Sequence, residues 1–195
     1  MRLLRAGSYR EMPWKNGGGT TTEIAVFPAG AGLDGFDWRV SMARVESGGP
    51  FSLFAGVDRT LAVIEGDGIR LTVGGAVPVA LDKACEPLSF AADVETHAVL
   101  AGGPVRDLNV MTRRGRARHS MRRLALCGHA EIPIAGDVLL VFCAEGDIAV
   151  SGKEAMRLGP HDTLLVDRDA DTLRLVAGRP SVALLIVITA GDHAS

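Results

Sequence analysis

Thr96-His97-Ala98-Val99-Leu100-Ala101-Gly102-Gly103-Pro104 returns as Thr172-Leu173-Arg174-Leu175-Val176-Ala177-Gly178-Arg179-Pro180, with one offset at both ends, 172 − 96 = 180 − 104 = 76. Upstream, Leu61-Ala62-Val63-Ile64-Glu65-Gly66-Asp67-Gly68 has a counterpart in Leu139-Leu140-Val141-Phe142-Cys143-Ala144-Glu145-Gly146-Asp147, with a small change in loop length. Two copies of one unit account for both. The unit reads as β, because short apolar runs rich in branched residues alternate with Gly, Pro and Asp turns, and scarcely any long segment has a helical period.

Working outward, the pattern predicts strands at Glu23–Phe27, Trp38–Val45, Thr60–Glu65, Gly68–Val73, Leu88–Ala91, Thr96–Ala101 and Leu108–Thr112. The second copy adds Val138–Cys143, Asp147–Ser151, Thr163–Asp167, Thr172–Ala177 and Val182–Thr189. Strand, Gly-rich turn, strand, then further strands after a Pro or Asp turn is the order of a cupin jelly roll, which closes its sheets to limit exposed edges. The expected fold is therefore all-β: a bicupin of two jelly-roll halves, residues 1–123 and 124–195. The join, Arg113-Arg114-Gly115-Arg116-Ala117-Arg118-His119-Ser120-Met121-Arg122-Arg123, is the one charge-biased segment and reads as a solvated, flexible linker.

With 195 residues the chain removes roughly 70% of its unfolded surface from water, so it builds a real core. A formal charge of -2 and a pI near 6.2 supply no basic field for nucleic acid. Cys85, Cys127 and Cys143 are odd in number and lack C-x-x-C spacing, which speaks against a disulfide framework or a thiolate zinc site. The first twelve residues have no signal-like apolar run, and Val182–Ile188 is too short to span a bilayer, so a soluble cytoplasmic protein without membrane or nucleic-acid partners is expected. A homodimer is compatible with the sequence.

Many cupins hold a metal through H-x-H-(x)3–4-E-(x)6-G. With Gly66 as the last glycine, the carboxylate falls at Arg59 and the histidines near Ser52-Leu53-Phe54-Ala55, so every ligand is missing and a permanent cation replaces the acid. No metal and no cofactor are expected. No G-x-S-x-G elbow is present either, and no catalytic residue is assigned.

Polar candidates lie elsewhere. Met12-Pro13-Trp14-Lys15-Asn16-Gly17-Gly18-Gly19-Thr20-Thr21-Thr22-Glu23 sets an aromatic, a cation and an amide before three glycines, and reads equally as a ligand loop or as a turn into a strand. In Arg106–Arg113 alternation puts Asp107, Asn109, Met111 and Arg113 on one face and Leu108 and Val110 on the other. That polar face either meets water along an edge strand or lines the mouth of a barrel. Arg39 and Ser41 pose the same choice beside an apolar Trp38, Val40 and Met42. Asp58-Arg59 is either a surface ion pair or an anion-reading arginine.

Pro13-Trp14-Lys15-Asn16-Gly17-Gly18-Gly19-Thr20, Trp38-Arg39-Val40-Ser41-Met42-Ala43, Gly49-Pro50-Phe51-Ser52, Gly56-Val57-Asp58-Arg59 and Asp107-Leu108-Asn109-Val110-Met111-Thr112-Arg113 occur in the order that resembles the HutD/Ves family. The resemblance covers nearly the whole chain, although its distinctive motifs all precede residue 114. It implies a bicupin without a metal centre and an association with bacterial histidine utilisation, where a regulatory role has been proposed. It also nominates Lys15, Asn16, Glu23, Arg39, Ser41, Arg59, Asp107, Asn109 and Arg113 as one ligand pocket in the N-terminal half. The ligand expected by analogy is a small anion such as urocanate or formylglutamate, bound without turnover. The competing classes are a metal-independent isomerase or hydrolase acting on a small acid, and a purely protein-binding module.

Overall fold

The computed structural model describes residues 1–15, 17–151, 156–167 and 172–191. Among these the chain is strand throughout, apart from loops and one short 3-10 turn at Ala6–Ser8. The strands are β1 (Arg2–Leu4), β2 (Arg10–Pro13), β3 (Gly19–Phe27), β4 (Trp38–Val45), β5 (Gly49–Pro50), β6 (Val57–Glu65), β7 (Ile69–Val73), β8 (Val79–Leu81), β9 (Leu88–Ala91), β10 (Thr96–Leu100) and β11 (Val105–Arg113). They continue as β12 (Ala117–Pro133), β13 (Val138–Glu145), β14 (Ile148–Ser151), β15 (Met156–Leu158), β16 (Thr163–Asp167) and β17 (Thr172–Ala190). The fold is the all-β bicupin that the repeat predicts.

Two compact units form, one of Arg10–Arg118 with Gly191, the other of Met1–Tyr9 with His119–Ala190. The N-terminal unit faces a six-stranded sheet, β2-β3-β4-β11-β6-β9, with a four-stranded sheet, β5-β10-β7-β8. Its core draws on both: Ala43, Leu61, Val63 and Val105 from the first pack with Ile69, Leu71, Leu81 and Ala98 from the second. In the C-terminal unit the sheet runs β1-β16-β13-β17-β14-β15, with β12 also paired to β17. Leu139, Val141, Leu164, Val166, Leu175 and Leu185 fill its interior. The two copies share a detail below the level of the repeat motif. β6 and β11 slip register between Arg106 and Asp107, and β13 and β17 slip between Cys143 and Glu145, so β6 and β13 each carry a bulge one residue before their last, at Ile64 and Ala144.

Two expectations need correction. The arginine-rich join is solvated, as expected, but it is not a flexible linker: β12 begins at the buried Ala117, Arg114 pairs with Asp58 and Asp93 at 3.2 and 2.6 Å, and Arg116 pairs with Asp37 at 3.0 Å. Carboxylates from three separate loops and strands meet those guanidiniums, which composition along one segment does not reveal. The strands expected at Thr172–Ala177 and Val182–Thr189 are one strand, β17. Its first part pairs with β14 through Arg174–Val176 and its second with β13 through Val182–Ile188, and Pro180 falls between the two pairings, where its missing N–H breaks neither ladder.

Three glycines make the β2–β3 turn. Gly17 adopts φ 71°, its N–H donates to the Trp14 carbonyl at 3.1 Å, and the Trp14 N–H donates to the Gly19 carbonyl at 2.9 Å. A Cβ on Gly19 would overlap the Arg44 carbonyl and press on the Trp14 ring, whose Nε1 donates to Thr21 Oγ1 at 2.8 Å. The turn reading of this stretch therefore accounts for Gly17 and Gly19. Gly19→Ala is expected to destabilise the fold by about 1–3 kcal/mol, lowering the thermal midpoint by several degrees, as overpacking against backbone does.

The N-terminal segment is stapled into the C-terminal unit. Asp162 accepts from the Ala6 N–H at 2.9 Å, Arg5 Nη1 at 2.7 Å and the Gly159 N–H at 3.1 Å, while the Tyr9 hydroxyl lies within 3.0 Å of Thr163 Oγ1 and of the His161 and Leu4 carbonyls. Burial pushes the Asp162 carboxyl up, but those donors outweigh it and hold it below its ordinary range. A depressed carboxyl adds stability that is present above its unfolded pKa and is lost as pH falls through the folded one. Asp162→Ala should therefore melt earlier at neutral pH, by about 1–2 kcal/mol, with the deficit against the parent closing below about pH 4.

Candidate functional site

The site grows from the inner face of the six-stranded sheet. β11 is a central strand between β4 and β6, so its polar residues do not lie on an edge. Register places Glu23 of β3, Ser41 of β4, Asn109 of β11 and Leu61 of β6 in one row. The next row holds Val26, Arg39, Met111, Arg59 and Phe90, and the row on the other side holds Thr21, Ala43, Asp107 and Val63. Period-2 alternation turns all of these to one face, and Arg39, Ser41, Arg59, Asp107 and Asn109 are buried there. The opposite face, with Val40, Met42, Leu108 and Val110, is buried as well.

Charges inside this face are paired in a defined way. Arg39 Nε donates to Glu23 Oε2 at 2.7 Å, and its Nη1 lies 3.5 Å from Ser41 Oγ. Asn109 Nδ2 donates to Asp107 Oδ1. Among the described residues Arg59 has no carboxylate at hydrogen-bond distance. Its guanidinium sits among three phenyl rings, Phe51 at 5.3 Å, Phe54 at 5.4 Å and Phe90 at 6.0 Å, and Nη2 approaches Met111 Sδ at 3.6 Å. Two buried polar atoms of the cluster have no protein partner, Arg59 Nε and Asn109 Oδ1. Native interiors rarely leave such atoms unpaired, because each costs about 1–3 kcal/mol.

Burial also moves the proton equilibria. Desolvation brings Arg59 down to about 10, opposed by the attraction of Asp107 and reinforced by repulsion from Arg39, so the guanidinium stays charged at neutral pH. Burial pushes Asp107 up to about 7 against the pull of Arg59, the Asn109 amide and the Ala43 backbone. A carboxyl shifted this far by burial beside a buried guanidinium makes the cluster a candidate functional site.

Of the nine residues nominated from sequence, Glu23, Arg39, Ser41, Arg59, Asp107 and Asn109 come together in this cluster. Lys15 is exposed in the β2–β3 turn, and Asn16 lies outside the described residues. Arg113 stands at the end of β11, where its three donors serve the Phe36, Asp34 and Ala55 carbonyls at 3.1, 3.0 and 3.4 Å and its plane lies over Phe36. It braces loops. The surface pair read at Asp58-Arg59 does not form, because alternation sends the two side chains to opposite faces of β6, where Asp58 meets Arg114. Sequence reasoning missed the phenyl cage. Its only trace was Phe51 and Phe54 in the segment that leads into β6, and Phe90 had none.

The second copy carries no such cluster. By pairing register, Met111 opposite Arg59 corresponds to Val187 opposite Leu139, and the offset of 76 takes Asp107 to Ala183 and Asn109 to Leu185. Those replacements sit in or against the C-terminal apolar core.

The HutD family model matches residues 6–184. The chain belongs to the HutD family. It is 38% identical over 182 residues to a 21.2 kDa protein encoded in the hutC 3' region of Pseudomonas putida, covering 92% of this chain and 94% of that one. It is 40% identical over 154 residues to protein Ves of Citrobacter koseri, covering 77% and 73% of the two chains. The crystallised HutD of Pseudomonas fluorescens is similar at 35% identity and a TM-score of 0.83, with 97% and 98% of the chains covered. The fold extends further: the pirin YhhW of Escherichia coli, solved in complex with nickel(II), has a TM-score of 0.72 at 12% identity over 97% and 99% of the chains, a likeness of fold alone.

A cupin-type metal does not fit this HutD interior. Among the described residues two guanidiniums and no imidazole stand in it, and no group of three or more His, Cys, Asp and Glu is placed to hold an ion. Among those residues no helix is long and apolar enough to cross a membrane.

The near-neutral Asp107 has a consequence for stability. A carboxyl whose folded pKa is raised favours the folded state at low pH and loses that advantage as pH climbs from about 4 to about 7, then stays level. Asp107→Asn, the isostere of the protonated acid, should flatten that part of the profile. Thermal melts of parent and variant at matched pH measure the difference.

Proposed function

We propose that the N-terminal unit is a receptor for a small carboxylate, and that the protein works by binding it, without turnover, in the regulation of histidine utilisation. The observation that carries this reading is Arg59: a guanidinium nine-tenths buried, held between phenyl rings, with Nε lacking an acceptor among the described residues. An apolar wall with a few convergent polar groups is the usual composition of a small-molecule site, and a guanidinium is the group best matched to carboxylate.

The unpaired atoms also describe the ligand. Arg59 Nε asks for an acceptor and Asn109 Oδ1 asks for a donor, so the complement is an acid that also carries an N–H. Urocanate offers an imidazole N–H, and formylglutamate offers a formamide N–H. Both are supported by the hutC-region location of the Pseudomonas putida relative rather than by these atoms alone. The cluster residues Glu23, Arg39 and Ser41 fix the second guanidinium and give the site its polar wall.

Thermal melts with urocanate, formylglutamate and plain short-chain acids test the proposal. Ligand at about 100 times its Kd should add about 2.7 kcal/mol of stability, a shift of several degrees. Arg59→Met keeps the volume against the rings, removes the donor, and should abolish the shift while the protein remains folded. No shift of the parent with any acid at millimolar concentration would overturn the reading.

A further inference from the structure

We infer that the interior of the N-terminal unit takes up one proton with each carboxylate it binds, and that Asp107 is the residue that receives it. This rests on the carboxylate-binding reading above. Arg39 and Arg59 supply two positive charges to the inner face, and Glu23 and Asp107 supply two negative ones when both are ionised, so the set is already neutral before an anion enters. A further negative charge would stand uncompensated where water is excluded, and an interior of this kind sheds charge by shifting a proton rather than hold it.

The geometry selects Asp107 over Glu23. Glu23 is bonded to Arg39 at 2.7 Å and its side chain is 21% exposed, so it already has a cation and water beside it. Asp107 is 1% exposed and lies in register between Ala43 and Val63, two members of the apolar cluster. Its hydrogen-bond partners are the neutral amide of Asn109 and the Ala43 backbone, and it draws on the charge of Arg59 only through space. Of the charged side chains on the neighbouring strands, Arg59 on β6, Arg39 on β4 and Glu23 on β3 share the inner face with Asp107, whereas Arg44, Asp58 and Glu65 fall on the other face. The four-stranded sheet brings Ile69, Leu71 and Ala98 to the same core, and its Arg70 and His97 are exposed.

An incoming carboxylate that takes Arg59 Nε competes for the one charge that favours ionised Asp107. Ligand and ionised Asp107 therefore oppose each other, and by linkage the ligand raises the affinity of Asp107 for its proton as much as the proton raises the affinity for ligand. Burial already holds the Asp107 carboxyl near neutrality, which puts the exchange in the physiological range. The sign is fixed: binding is tightest with Asp107 protonated, and weakens as pH rises through about 7.

Isothermal titration of the full chain with N-formylglutamate, whose carboxyls are ionised throughout the range, tests this in two buffers of different ionisation enthalpy. Between about pH 6.5 and about pH 8.5 the Kd should weaken roughly 20-fold, with close to one proton taken up per ligand at the upper end. Asp107→Asn should bind with a flat pH profile and no proton uptake. If that variant does not fold, infrared difference spectra of the parent with labelled aspartate should show a protonated carboxyl band gained on ligand addition at about pH 8. Binding by the parent without proton uptake or without that band overturns the inference and leaves the carboxylate reading standing, as does proton uptake that persists in Asp107→Asn. Absence of binding by the parent at every pH, with N-formylglutamate and with each of the acids used in the melts, overturns both.

Discussion

The arrangement depends on a guanidinium placed where water does not reach. Bringing an arginine into a protein interior costs several kcal/mol unless something replaces its hydration. Around Arg59 the replacements are the faces of Phe51, Phe54 and Phe90, the sulfur of Met111 and the more distant charge of Asp107. Rings compensate the charge across the plane of the guanidinium and do little for its edge. The edge is where Nε remains unpaired, and the same shortage explains why Asp107 is held near neutrality instead of being fully ionised against Arg59.

Gene duplication gives this tension a natural comparison within one chain. Both copies share pairing register and the bulge near the end of β6 and of β13, yet the second copy places Leu139, Ala183 and Leu185 where the first has Arg59, Asp107 and Asn109. An apolar set of similar arrangement satisfies the fold at lower electrostatic cost, as replacement of buried ion pairs by hydrophobic residues often does. The charged set in the N-terminal unit is therefore not needed to make a cupin-like sheet. Its persistence in one copy is a cost in folding that binding can offset, which is the physical link between the local chemistry and the proposed role.

Cohesion of each unit comes from ordinary sources. The N-terminal sandwich is closed by Leu61, Val63, Ile69 and Leu71 across its two sheets, and the C-terminal unit is filled by branched aliphatics on β13, β16 and β17. Arginines outside the site are spent on structure: Arg113 on three loop carbonyls, Arg114 on two aspartates, Arg116 on Asp37. The density of arginine in this segment thus reflects bracing of the region around β11 and β12 rather than a surface for a polyanion.

What the sequence determined alone was periodic and local. Alternation identified the β class and the polar side of β11, the repeat gave two copies, and the absence of histidines ahead of Gly66 removed the usual metal ligands. Alternation divides a strand into two faces but carries no information on which face is inward, since a core polar row and a solvent polar row have the same period. Only pairing register and sheet closure decided that Asp107 and Asn109 are buried between β4 and β6, that Arg59 faces away from Asp58, and that Lys15 is exposed rather than inside. The phenyl cage was illegible for the same reason: Phe51, Phe54 and Phe90 come from separate segments, and nothing in their local spacing records that a curved sheet brings all three to one guanidinium.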